Sequence, residues 1–93
     1  MTEPKPLVLV IDDEEAMRDY CSQILRKSDY RVETAEDGSA GLDKVKSLVP
    51  DLVLVDLKMP GISGFEILEQ LKNLDPYIIP IVITGYATVD SAV

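Results

Sequence analysis

Histidine and tryptophan are absent from this 93-residue chain, and cysteine occurs once. The lone cysteine, Cys21, cannot close an internal disulfide, and its place in a helical apolar pattern reads as a plain buried residue in a reducing compartment. Basic residues are also scarce: nine Lys and Arg stand against 17 Asp and Glu, a formal charge of −8, and no five basic residues run together. A surface of that sign repels nucleic acid and anionic membranes, so neither is expected as a direct partner. The longest apolar run falls far short of a membrane span, and the N-terminal Met-Thr-Glu-Pro-Lys-Pro lacks the charged-then-apolar layout of a secretion signal. Repeats, low-complexity tracts and an interior linker are missing too. These absences lead to the expectation of one cytoplasmic domain, and 46% hydrophobic content is enough for a single modest core.

Apolar runs rich in Val, Ile and Leu recur at residues 7 to 11, more weakly near 31 to 35, then at 52 to 55 and 78 to 83. Between them the period changes. Met17, Tyr20, Cys21, Ile24 and Leu25 recur at steps of three and four, as do Leu42, Val45, Leu48 and Val49, and again Ile67, Leu68, Leu71 and Leu74. The pattern reads strand, helix, strand, helix, strand, helix, strand. Punctuation agrees with it: Asp37-Gly38-Ser39 reads as a turn before the second helix and Pro50-Asp51 as its end. Ser63 and Glu66 have the spacing of a capping box for the third helix. Pro80 is expected at the start of the fourth strand, because its missing N–H is not tolerated inside a ladder. Near-continuous apolar strands alternating with amphipathic helices predict a parallel sheet covered on both faces, with right-handed crossovers.

In such sheets chemistry gathers beyond the carboxyl ends of the strands. The first strand, Leu7-Val-Leu-Val-Ile11, runs into Asp12-Asp13-Glu14-Glu15; the third runs into Asp56; the fourth runs into Thr84-Gly85. If the first and third strands are neighbours, with the second outside the first, three aspartates converge on one crevice. Two carboxylates about 4 Å apart repel by roughly 4 kcal/mol at an effective dielectric near 20, so three together raise their own pKa values or recruit a cation. Oxygen ligands, with no histidine in the chain and no cysteine nearby, select a hard ion: Mg2+, with Mn2+ or Ca2+ as substitutes. Magnesium beside a carboxylate at a crevice is a phosphoryl site, where a carboxylate can serve as the nucleophile. Thr84 would add a hydroxyl donor at the same rim, and Gly85 would let backbone N–H groups approach an anion.

Each feature alone has a plainer explanation. Asp13 could be the N-cap of the first helix, with its acidic neighbours complementing the helix dipole. Asp56 could simply begin a turn, and Thr84 could be an ordinary β-branched strand end. Glu14, Glu15, Glu36 and Asp37 read as solvated or capping acids. What favours a site is the coincidence of four polar residues at the ends of three strands.

As a set, Asp12-Asp13 after the first strand, Asp56-Leu-Lys-Met-Pro-Gly61 after the third and Thr84-Gly85-Tyr-Ala87 after the fourth resemble the receiver domain of bacterial two-component response regulators. The likeness runs from Leu7 to Val93 and implies a flavodoxin-like three-layer α/β/α sandwich with strand order 2-1-3-4 and one receiver domain over residues 1–93. It implies that Asp56 accepts a phosphoryl group from a sensor histidine kinase. It further implies that Asp13 binds Mg2+ directly and Asp12 more through water. Asp56 and the backbone carbonyl of Lys58 complete the protein's share of the metal shell. Thr84 and Gly85 would meet the phosphoryl group, Thr84 moving toward it as the switch. Met59, Pro60 and Gly61 would shape the loop.

The domain so implied is a regulatory switch and not an enzyme acting on others, although it assists its own phosphorylation and dephosphorylation. It would signal to an output domain or another chain. The Gly85 to Ala92 stretch is similar to receivers attached to AAA+ activators of transcription, so a transcriptional output is expected.

The family pattern continues into a fifth strand, which ends in a lysine that pairs with the phosphoryl group, and a last helix. This sequence has no residue for that lysine, so a C-terminally incomplete receiver is expected, with Ile81-Val-Ile83 as an exposed edge inviting a homodimer. A phosphotransfer-deficient interaction module is the alternative. A magnesium-dependent aspartyl phosphohydrolase is disfavoured, since the general acid such enzymes carry two residues past the nucleophile is replaced by Lys58.

Overall fold

A computed structural model of the chain describes residues 4–57 and 59–83. The elements follow the apolar periods: β1 (Leu7–Ile11), α1 (Glu15–Lys27), β2 (Arg31–Ala35), α2 (Gly38–Leu48), β3 (Leu52–Asp56), α3 (Gly64–Leu74) and β4 (Ile79–Ile83). The four strands form one parallel sheet in the order β2-β1-β3-β4. β1 is bonded on both sides and covered on both faces, which is why all five of its residues are apolar and buried.

Side chains alternate between the two faces of the sheet. Leu9, Ile11, Val53 and Val55 point into the larger core with Leu42 and Val45 of α2 and Ile67 and Leu71 of α3. Val8, Val10 and Val32 point the other way, toward Cys21 and Leu25 of α1. The result is three layers, with α1 on one face and α2 and α3 on the other. Among the described residues α1 reaches β1 and β2 only; Leu52 and Leu54 on that face are half-buried, and Ile79 and Ile81 beyond them are exposed.

Several local expectations need correction. Asp13 does not cap α1: the N-cap position is Glu14, with no side-chain capping bond, and the acid that does accept there is Asp12, from the Glu14 N–H at 2.9 Å. Gly38 and Ser39 belong to α2, whose N-cap is Asp37, accepting from the Ala40 N–H at 2.8 Å. That helix stops at Leu48, one residue before Val49 turns left-handed (φ 48°), and Pro50 then forbids any resumption. Cys21 is half-buried, and Ser22 beside it is the buried member of α1. Tyr20, Ile24, Leu48, Val49 and Leu74 keep the helical period yet are exposed.

Pro80 is the second residue of β4, opposite Val53. Successive N–H groups of a strand point to opposite sides, and the Ile79 N–H is given to Asp51 O on the β3 side, so the Pro80 nitrogen faces away from β3 and costs no bond of the β3–β4 ladder. The Ser63 half of the expected capping box is made, Oγ accepting from the Glu66 N–H at 3.3 Å.

Candidate functional site

The carboxyl ends of β1 and β3 lie side by side, Ile11 opposite Val55, so the next residue of each strand comes to the same rim. Asp12, Asp13 and Asp56 each present a carboxylate oxygen there, and the three oxygens lie within 4.8 Å of one another. Asp12 and Asp56 are buried and Asp13 is exposed. The separations fall within the span of ligands sharing one ion.

Asp12 is held at three points. Its N–H donates to Ala35 O at 3.1 Å, which extends the β1–β2 ladder past the last strand residue. Its Oδ1 accepts the Glu14 N–H. Its carbonyl accepts from Arg18 Nη1 at 2.8 Å, a bond that ties the second turn of α1 back to the strand exit. The spacing of Arg18 in the sequence gives no notice of this role, because a basic residue one turn into a helix is ordinary. The signal that could have found it is the need of a buried carbonyl beside an acid cluster for a donor.

Electrostatics follow from the placement. Burial pushes the Asp12 carboxyl above its ordinary value, the hydrogen bond from Glu14 opposes that, and the nearby charges of Asp56, Asp13 and Glu14 push it further up. Burial also raises the Cys21 thiol, with a smaller push from Asp12. A bound cation would offset the converging carboxylate charge, and an all-oxygen donor set suits a hard divalent ion.

Asp12, Asp13 and Asp56 therefore meet as expected. Lys58, Thr84 and Gly85, the other residues read from the sequence as site members, lie outside the described residues. The loop between Asp56 and α3 is anchored by Met59, buried in the larger core, and turns at Gly61, whose φ of 81° favours glycine. Of the acids set aside as capping or solvated, Asp37 caps α2.

Comparison with known proteins places this geometry in context. The family described as the response regulator receiver domain matches residues 8–93. Sporulation initiation phosphotransferase F of Bacillus subtilis is 37% identical over 83 residues, covering 89% of this chain and 67% of that protein. The transcriptional regulatory protein ZraR of Klebsiella oxytoca is 38% identical over 86 residues, which are 92% of this chain and 19% of ZraR. This chain thus spans about a fifth of that regulator. Among solved structures, a CheY-like response regulator receiver domain protein from Methanospirillum hungatei superposes with a TM-score of 0.86 at 35% identity, over 96% of this chain and 71% of that one. The response regulator TrrA of Thermotoga maritima, solved in complex with Mg2+ and BeF, gives 0.84 at 35% identity over 88% and 71% of the two chains. Among the described residues no helix is long and apolar enough to cross a membrane.

Proposed function

This chain belongs to the response regulator receiver domain family, and from that premise we propose that it is a phosphorylation-activated switch whose acceptor is Asp56. The observation that carries the reading is the meeting of three carboxylates from two adjacent strand ends within 4.8 Å. Mg2+, with Mn2+ as a substitute, would be held by Asp13, Asp56 and the carbonyl of Lys58, with Asp12 acting through water; when bound it offsets the converging charge and polarises phosphoryl oxygens. Asp12 would keep its clamped backbone and, through its bond with Glu14, a fixed carboxylate orientation. Asp56 Oδ would attack phosphorus. The new O–P bond forms as the bond from phosphorus to the donor's imidazole nitrogen breaks, and the departing imidazole keeps the electron pair and takes a proton from solvent. Thr84 and Gly85 would bind the transferred group.

The domain is proposed to span residues 1–93, to act in the cytoplasm with a sensor histidine kinase, and to pass its state to an output domain or another chain, a transcriptional one in relatives such as ZraR. Its own chemistry would be confined to gaining and losing the phosphoryl group. Self-association through the exposed β4 is a further proposal, supported by the exposure of Ile79, Ile81 and Val82.

Incubation with a small phosphodonor and Mg2+, followed by intact mass, tests the switch. The expected result is a gain of one phosphoryl group, acid-stable and base-labile, that disappears in Asp56→Asn and on chelation of the metal. No gain in the unaltered chain would instead favour a module that binds partners without phosphotransfer.

A further inference from the structure

We infer that Gly64 is a positioning residue for Asp56: its missing side chain lets α3 begin directly against the backbone of the acceptor. A Cβ built on Gly64 would stand 2.8 Å from the Asp56 carbonyl oxygen and 2.8 Å from Leu57 Cα, closer than real Cβ atoms come to such neighbours. Gly64 is buried, and it is the first residue of α3, immediately after the Ser63 cap. Its backbone is helical, a conformation any L-residue adopts, so what the position demands is space and not a special φ.

The other described glycines meet different surroundings. Gly38 faces the side chains of Ile62 and Ile67, both at 3.0 Å, and Gly41 faces only the side chain of Ile11. Gly61 has nothing within 4 Å and serves by its positive φ. Only at Gly64, among these four, would the added carbon strike main chain, which cannot rotate aside.

The main chain it would strike carries the acceptor. β3 is bonded to β1 on one side and β4 on the other, so it resists sideways movement along its length. Asp56 is its last residue, and past it only a long bond from the Leu57 N–H to Ile83 O (3.4 Å) continues the ladder among the described residues, so displacement is easier there than within the strand. A carbon at position 64 therefore acts on the carboxylate that must meet Asp12 and Asp13, through the backbone and without touching an ion or phosphoryl group. This inference rests on the metal reading of the three aspartates proposed above.

The experiment titrates the full chain with Mn2+ alone, reading free Mn2+ by electron paramagnetic resonance, and measures urea stability in parallel. Gly64→Ala and Gly38→Ala are both expected to lose stability. Only Gly64→Ala is expected to bind Mn2+ more weakly, by about tenfold, the lower end of what supporting residues behind metal ligands cause; Gly38→Ala should bind like the unaltered chain. If Gly64→Ala is mostly unfolded, sucrose restores the compact state and the affinity is read there.

Equal affinity in Gly64→Ala and the unaltered chain overturns the positioning role, because α3 has then simply backed away. Equal weakening in Gly38→Ala overturns it as well, since loss of stability alone would explain the result. Asp13→Asn separates this failure from that of the premise. If Asp13→Asn binds Mn2+ as tightly as the unaltered chain, the ion is not at the three aspartates and both readings fall together.

Discussion

Aspartates stand at both ends of this sheet, and the two ends use them in opposite ways. At the amino end Asp51 precedes β3, accepts the Leu7 N–H at Oδ2 (2.8 Å) and gives its own N–H to Leu7 O (2.9 Å). One bond to its carboxylate and one from its backbone stitch the starts of β1 and β3 together. At the carboxyl end Asp12, Asp13 and Asp56 face one another, and the burial that would reward a paired acid instead raises Asp12. The same residue type stabilises where it meets donors and destabilises where it meets its own kind. The second arrangement persists because, in the proposed function, a cation and a phosphoryl group use it.

The largest effect that would break this contrast is expected at Asp51. Asp51→Ala leaves the part-buried Leu7 N–H without its acceptor and should cost about 2 kcal/mol in urea unfolding, the usual penalty for orphaning such a donor, while Mn2+ affinity stays unchanged. A drop in affinity there would mean that the two ends are not independent.

A smaller effect of opposite sign is expected at Asp13. Asp13→Asn removes one like charge at an exposed position, where two charges about 4 Å apart in water interact by about 1 kcal/mol. Urea unfolding should show the metal-free chain gaining up to about that much, and Mn2+ binding should weaken. Loss of stability in the metal-free variant would show that Asp13 is a structural acid like Asp51.

The smallest effect is the pH dependence of Asp12. Its folded carboxyl titrates above the ordinary 3.8, so between that value and the raised one the folded state holds a proton that the unfolded chain has released. The Asp12 contribution is therefore greatest below the window, falls as pH rises through it, and is level above. Asp12→Asn keeps an oxygen for the Glu14 N–H but cannot titrate. Relative to it, the unaltered chain should lose stability as pH rises through the window, read by urea melts across the acid range. A difference independent of pH would remove the account of this end as a buried acid among like charges.

Much of the fold was legible along the chain because its signals are local. A five-residue apolar run with both faces buried, as in β1, differs visibly from the three-and-four spacing of α3, and Ser63 announces the start of that helix. Helix ends were less legible. Whether Asp12, Asp13 or Glu14 caps α1 depends on which carboxylate turns back, and Asp12 does so while its backbone is still held by Ala35. Helical spacing does not by itself fix burial, and Cys21, expected to be buried, is half-buried. Tyr20 and Ile24 lie on an apolar stripe of α1 yet are exposed, because among the described residues that helix packs on β1 and β2.

By itself the order of residues determined that strands and helices alternate, that the strands are parallel, and that aspartates follow the first and third of them. It could not decide that Arg18 reaches the Asp12 carbonyl, that Gly64 lies against the Asp56 carbonyl, or that three carboxylate oxygens stand within 4.8 Å. Periodicity is written into neighbouring residues, whereas the carboxylates meet only after β3 has crossed over to pair with β1, and the other two contacts form only when α1 and α3 fold back on the strands that precede them. Their distances are set by how whole helices seat on the sheet.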